Sequence, residues 1–140
     1  TIYGFALLYR RTGERHYLEL AENLARYFLD QLNPDFIPAW DFKLPGGDDG
    51  LIDTSAAAIA ASGLLELSPR FQGFGKAIVW SLLINHSRAT DPETEGILPR
   101  CFAREEGVNR QMFTIWGDYV YLEALLKATG KDYGLWDSPD

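Results

Sequence analysis

The sequence alternates between two kinds of apolar pattern, and this alternation limits its fold more than any other feature. Three stretches are apolar on nearly every side, whereas the two between them keep a polar face. The alternation predicts helical hairpins whose members lie in an inner and an outer layer, with the first, third and fifth helices enclosed. In chain order the predicted helices span about Ile2 to Arg10, Arg15 to Leu32, Thr54 to Leu67, Phe71 to Arg88 and Thr114 to Thr129.

The connections between these helices alternate in length. Residues 11–14 and 68–70 are short turns, which make the helices they join antiparallel. Residues 33–52 and 89–114 are much longer and are predicted to be loops. Because every second connection is long, antiparallel packing places both loops at one end, beside the N-termini of the third and fifth helices. Long loops in a compact domain are commonly functional, so a binding site is expected there.

Composition argues against several partners. The chain has 140 residues, a net charge of -7 and a pI near 4.8, which disfavours nucleic acid and anionic membranes. The single cysteine, Cys101, has no Cys/His spacing typical of zinc around it, so we expect neither a metal nor a cofactor. The longest uncharged run is too short to span a bilayer. Any targeting segment is expected upstream of Thr1, which leaves the localisation undetermined with a slight preference for the cytoplasm.

Three segments carry a more specific signal. They are IYGFALLYRRTG at 2–13, PAWDF at 38–42 followed by DTSAAAIAASGLLEL at 53–67, and IWGDYVYLEAL at 115–125. Together they resemble the C-terminal part of the unsaturated glucuronyl hydrolases, glycoside hydrolase family 88. The resemblance implies that residues 1–140 are the C-terminal segment of a single catalytic domain. That domain is an all-α (α/α)6 barrel, of which this incomplete chain would supply the last five helices.

The resemblance also implies an activity. Members of this family act on oligosaccharides that end in an unsaturated uronic acid, and they hydrate its C4=C5 double bond with a carboxylic acid as general acid and base. The catalytic aspartates of the family lie in its N-terminal half, and an Arg-Gly-Gln-x-Trp type segment immediately precedes the first helix described here. No catalytic residue is therefore expected in this chain, which should be inactive alone.

Four residues are candidates for binding the substrate. Tyr119 and Trp116 belong to the Trp-Gly-Asp-Tyr segment, and Trp40 could stack on a sugar ring. Arg100, which stands where a His is expected in this family, could bind a carboxylate. Each has a simpler alternative: the aromatic residues could fill the barrel or fix a loop, and Arg100 could be a solvated charge.

The other polar residues near the loops have structural interpretations. Asp53 is predicted to cap the third helix, and Asp41 and Asp118 are more typical of caps or helix-dipole partners than of an acid–base pair. His16 and His86 are predicted to lie on the surface.

Two alternatives remain open for the function. The first is another (α/α)6 enzyme, such as an unsaturated rhamnogalacturonyl hydrolase or a sugar epimerase. The second is a non-catalytic αα-repeat module that binds a partner through its aromatic loops. In each case five helices cannot cover each other's apolar surface, so we expect further helix pairs or a partner.

Overall fold

The computed structural model describes residues 2–44 and 50–131, which form helices and one small β-hairpin. All five predicted helices are confirmed, with small changes at their ends. They are α1 (Ile2–Thr12), α2 (Arg15–Asp30), α3 (Thr54–Leu65), α4 (Pro69–Ser81) and α5 (Ile115–Ala128). A π-helical turn, Leu82–His86, follows α4 directly. None of the described helices is long and apolar enough to cross a membrane.

Helix α3 lies at the centre of the packing, as predicted. It contacts α1, α4 and α5, and most of its residues are buried. Its small side chains allow close approach: a Cβ atom at Gly63 would lie 2.7 Å from the backbone nitrogen of Tyr3 in α1. The alanine and serine run is therefore core, because any larger side chain would push neighbouring helices apart.

Helices α1 and α5 are only partly buried within the described residues, so their place in an inner layer stays a prediction that depends on the further helices expected around them. Helix α5 buries Gly117, Tyr121 and Ala124 but exposes 84% of Ile115 on another face. Helix α1 buries only Ile2 and Ala6. The reason is position: α3 has neighbours on several sides, whereas α1 and α5 flank it. This exposure agrees with the prediction that five helices cannot cover their own apolar surface.

The second long connection contains a β-hairpin that the sequence reading missed. Strand β1 (Cys101–Glu105) pairs antiparallel with β2 (Val108–Met112), with Cys101 opposite Met112 and Glu105 opposite Val108. The two turn residues, Glu106 and Gly107, have φ values of 50° and 82°. Positive φ at both positions is what a two-residue hairpin turn requires.

An ion network joins the C-terminal ends of α3 and α5 to residues from both ends of α1. Lys127 Nζ lies 2.7 Å from Glu66 Oε1, 3.1 Å from Glu123 Oε1 and 2.9 Å from the Tyr3 hydroxyl oxygen. Arg10 pairs with Glu66 from the other side at 3.0 Å. The side chains of Lys127 and Glu123 are only 6% and 2% exposed. All three ammonium N–H donors thus have partners, as a buried lysine needs.

Tyr3 belongs to the same network and donates its hydroxyl hydrogen to Glu123. Burial, together with this hydrogen bond and the negative charge of Glu123, raises the pKa of Tyr3 far above its usual value. The tyrosine is therefore held in its neutral form, as a donor to the carboxylate.

Candidate functional site

The N-terminus of α3 is where the two long connections meet. Asp53 Oδ1 accepts hydrogen bonds from Ser55 N at 2.9 Å, Ser55 Oγ at 2.7 Å and Ala56 N at 3.2 Å. It also accepts one from Phe102 N, in β1, at 3.2 Å. The predicted cap is confirmed, and it also fastens the hairpin to the helix. The placement of both loops at this end is confirmed by the same contact.

Trp40 in the first connection lies flat against Phe102 of the hairpin. Their ring centroids are 4.1 Å apart with an angle of 10° between the planes. The backbone N–H of Trp40 donates to Leu51 O at 3.1 Å, and Gln111 Nε2 donates to Ile52 O at 2.6 Å. One face of the indole is therefore used to join the two connections.

Arg100 precedes β1 in a left-handed backbone conformation, with φ of 65°. Its carbonyl oxygen accepts from Thr54 N at 3.2 Å, and its Nε donates to Gln111 Oε1 at 3.2 Å. Arg100 lines a surface pocket together with the π-helical turn, and neither Trp116 nor Tyr119 lines that pocket. Arg100 therefore lies beside a pocket to which the two candidate aromatic residues of α5 do not contribute.

The first turn of α5 carries the other two candidate residues. Thr114 Oγ1 caps the helix by accepting from Gly117 N at 3.1 Å. Trp116 and Tyr119 lie three residues apart on an exposed face, with 52% and 44% of their surface accessible. Asp118 does not face them, because its two carboxylate oxygens accept from Ile97 N at 3.0 Å and Leu98 N at 2.8 Å. Asp118 therefore fixes the second connection, in agreement with a structural role.

Helix α5 approaches the hairpin closely at Gly117. A Cβ atom there would lie 2.6 Å from Cys101 Sγ, 2.8 Å from Thr114 Oγ1 and 3.3 Å from Ser55 Cβ. Since Trp116 adjoins Gly117 and Arg100 adjoins Cys101, all four candidate residues lie at one end of the helices. They are divided between the exposed face of α5, the Trp40–Phe102 stack and the pocket beside Arg100.

The surface prediction for His86 is wrong. Its side chain is 8% exposed, and its Nε2 lies 3.3 Å from Asp35 Oδ2 in the first long connection. The physical reason is the antiparallel packing of α4, whose C-terminal end reaches the loop end of the molecule. His16 is at the opposite end beside Glu14, with 56% of its side chain exposed, and its surface prediction is confirmed.

Two residues of this end were missed by the sequence reading, namely Phe102 and Gln111. Both lie on the hairpin, and the only local signal for it was the Glu106–Gly107 pair between two five-residue runs. Among the described residues, no group of three or more His, Cys, Asp or Glu side chains could hold a metal ion.

Known proteins share both the sequence and this arrangement of helices. No protein-family model matches the chain. An unsaturated glucuronyl hydrolase of Bacillus sp. (strain GL1) is 38% identical over 96% of the chain, and an unsaturated chondroitin disaccharide hydrolase of Streptococcus pneumoniae is 30% identical over 96%. The crystal structure of the unsaturated glucuronyl hydrolase from Bacillus sp. GL1 superposes with a TM-score of 0.81, at 39% identity over 90% of the chain. The chain is a homologue of the unsaturated glucuronyl hydrolases.

The resemblance read from the three sequence segments is thereby confirmed. So is the predicted fold class, an incomplete set of helices from an (α/α)6 barrel, since the chain matches the unsaturated glucuronyl hydrolase fold. The chain spans 39% and 37% of the lengths of the two relatives, and 36% of the crystallised chain. A mutant unsaturated glucuronyl hydrolase from Streptococcus agalactiae, complexed with dGlcA-GalNAc6S, superposes with a TM-score of 0.73 at 29% identity, over 90% of this chain and 36% of that one.

Proposed function

We propose that the chain is the C-terminal segment of a glycoside hydrolase that hydrates the C4=C5 double bond of a terminal unsaturated uronic acid. Its substrates would be the oligosaccharides that polysaccharide lyases release. The supporting observation is the 38% identity to an unsaturated glucuronyl hydrolase over 96% of the chain. We assign the reaction to the full-length protein, since the described aspartates at the loop end of the segment are held by hydrogen bonds from the backbone.

The aspartates of the described loop end are already engaged by the backbone. Asp53 accepts four hydrogen bonds, two from its own helix turn, one from the Ser55 hydroxyl and one from the hairpin. Asp118 accepts two backbone N–H groups, and Asp41 Oδ1 accepts Lys43 N at 2.8 Å. A general acid must reach the substrate with a transferable proton, so carboxylates held in this way serve as anchors. The acid is expected upstream.

The contribution of this segment would be one wall of the substrate site. Trp116 and Tyr119 present aromatic surface on α5, and the Trp40–Phe102 stack lies at the same end of the helices. Aromatic faces suit the apolar faces of pyranose rings, and an arginine suits a uronic carboxylate in a chain of net charge -7. We therefore assign sugar contact to Trp116, Tyr119 and Trp40, and attraction of the anionic substrate to Arg100.

The proposal is tested with the full-length protein that carries this chain and with unsaturated disaccharides made by lyase digestion. Hydration removes the conjugated double bond, so the ultraviolet absorbance of the substrate should disappear. Residues 1–140 expressed alone serve as the control and should leave the absorbance unchanged. Persistence of the absorbance with the full-length protein, on both sulfated and unsulfated disaccharides, would disprove the proposal.

Further measurements distinguish the proposed activity from the two alternative functions. An unsaturated galacturonic acid linked to rhamnose tests for a rhamnogalacturonyl hydrolase, which shares the (α/α)6 fold. The exposed apolar face of α5 would also fit a non-catalytic αα-repeat module, and such a module would consume none of these substrates.

A further inference from the structure

A polar pocket of about 340 Å³ lies at the outer rim of the loop end. The π-helical turn and the two residues after it, Ser87 and Arg88, form one wall, and Pro99 and Arg100 form the other. No acidic residue is among the described residues that line it. We refer to it as the rim pocket.

Two arginine residues, Arg88 and Arg100, line the rim pocket. No hydrogen bond or ion pair engages the side chain of Arg88 within residues 2–44 and 50–131. Arg100 uses its Nε for the neutral amide oxygen of Gln111, which leaves its charge without a carboxylate partner in the same ranges. Two arginines beside one concavity that no described acidic residue lines give this part of the surface a local positive charge, in a chain whose net charge is -7.

The backbone fixes both walls of the rim pocket. Arg88 N donates to Ile97 O at 2.8 Å, which ties the end of the π-helical turn to the second connection. Arg100 holds a left-handed conformation that non-glycine residues adopt infrequently, with its carbonyl on Thr54 N. His86 is fastened by Asp35. A π-helical turn is itself rare and frequently found at functional sites.

We propose that the rim pocket binds a small oxyanion between the guanidinium groups of Arg88 and Arg100. The ligand chemistry is that of a sulfate or phosphate group, whose oxygens accept paired N–H donors from arginine. Ser87 lies in the same wall as Arg88, and its hydroxyl oxygen accepts Ala89 N at 3.1 Å, which fixes the backbone around Arg88. The rim pocket shares Arg100 with the proposed substrate site but contains neither Trp116 nor Tyr119 of α5, and oxyanion binding there does not require the full-length protein to be a hydrolase.

The test measures sulfate binding to the full-length protein by thermal shift, against sodium chloride at equal ionic strength. Sulfate should raise the melting temperature beyond the chloride control. Arg88→Gln should weaken the fitted sulfate affinity about tenfold, because one charge-assisted contact is lost. Arg104→Gln is the matched control, since Arg104 is an exposed arginine on β1 outside the rim pocket, and it should leave the affinity unchanged.

Three ligands distinguish the sources of the anion. Tighter binding of glucose 6-sulfate than of inorganic sulfate, with glucose inactive, identifies an anion carried on a sugar. Binding of inorganic sulfate alone identifies a free ion. The proposal is overturned if sulfate acts no more strongly than chloride, or if Arg88→Gln and Arg104→Gln have equal effects. Activity on unsulfated disaccharides is scored separately, so failure of the rim pocket and failure of the hydrolase proposal are distinguishable.

Discussion

The two ends of helices α3 and α5 are built from different chemistry. At their C-terminal ends the two helices are joined by charges, and the side chain of Lys127 lies between Glu66 and Glu123 with little exposed surface. At the N-terminal ends of α3 and α5 the carboxylates hold backbone N–H groups, and Trp116 and Tyr119 are about half exposed. One end therefore contributes to stability, while the other leaves side chains available to a ligand.

This comparison teaches that stability and function can be altered separately in the same helices. A buried ion pair that loses one partner leaves a charge without compensation, which strongly destabilises the fold. A half-exposed aromatic residue loses little burial when it is shortened. The following predictions concern the full-length protein and are ordered from the largest effect to the smallest.

The C-terminal network should be the more sensitive end. Lys127→Met removes the cation from the buried Glu123, whereas Glu66 keeps Arg10, and the substitution should lower the free energy of unfolding by about 3–5 kcal/mol. Denaturant titration measures the change. The control is Arg26→Gln, which breaks an exposed pair with Glu22 in α2 and should cost about 0.3–0.5 kcal/mol. Equal effects of the two substitutions would remove the distinction between the two ends.

Gly117→Ala tests the close contact between α5 and the hairpin. The added methyl group would lie 2.6 Å from Cys101 Sγ, so overpacking should destabilise the protein by about 1–3 kcal/mol. Gly73→Ala in α4 is the matched control, because a Cβ there meets nothing within 4 Å. It should stabilise the protein by up to about 1 kcal/mol through helix propensity. A neutral Gly117→Ala would contradict the described contact.

Tyr119→Ala tests the exposed N-terminal end of α5, and this prediction rests on the proposed function. It should lower kcat/KM for unsaturated disaccharides about tenfold, a loss near 1.4 kcal/mol in transition-state binding, while stability changes by less. Leu122→Ala, on the same exposed face and one turn further along α5, should leave kcat/KM within about twofold, a change below 0.5 kcal/mol. If stability falls and kinetics stay unchanged, Tyr119 is a packing residue.

The pH dependence of stability should also depend on the ion network, through Tyr3. Burial and the bond to Glu123 raise the pKa of Tyr3, so the folded state keeps its proton when an unfolded tyrosine ionises near pH 10. The unfolded state then binds fewer protons, and stability falls as the pH rises above about 10. Tyr3→Phe should make this fall shallower in denaturant titrations between about pH 9 and pH 11. An unchanged slope would show that Tyr3 ionises equally in both states.

The helices could be predicted from the sequence because each one carries its own periodicity. The charge-free Ala and Ser run predicted that α3 is enclosed, and it is. Helix α5 has apolar residues as frequently but keeps an exposed face within the described residues, because enclosure depends on neighbours that a local pattern does not contain.

The site could be predicted only in part. Asp53 as a cap follows from its place before a helix, and the position of the long connections follows from chain direction. The hairpin was missed because polar residues such as Arg104, Asn109 and Arg110 interrupt the alternation expected of a strand. The stack of Trp40 on Phe102 joins residues 62 positions apart, a pairing that no local pattern encodes.

The Glu106–Gly107 turn gives the hairpin an adjustable height. Its base is fixed by the buried Cys101 and by Gln111, whereas both turn residues are exposed. Exposed tight turns tolerate inserted residues well. Lengthening or shortening both strands by one residue each would change how far the hairpin extends beyond Trp40, while the contact between Cys101 and Gly117 stays intact. Protein engineers could use this position to change the length of the hairpin, or to attach a fluorescent reporter, without altering the helices.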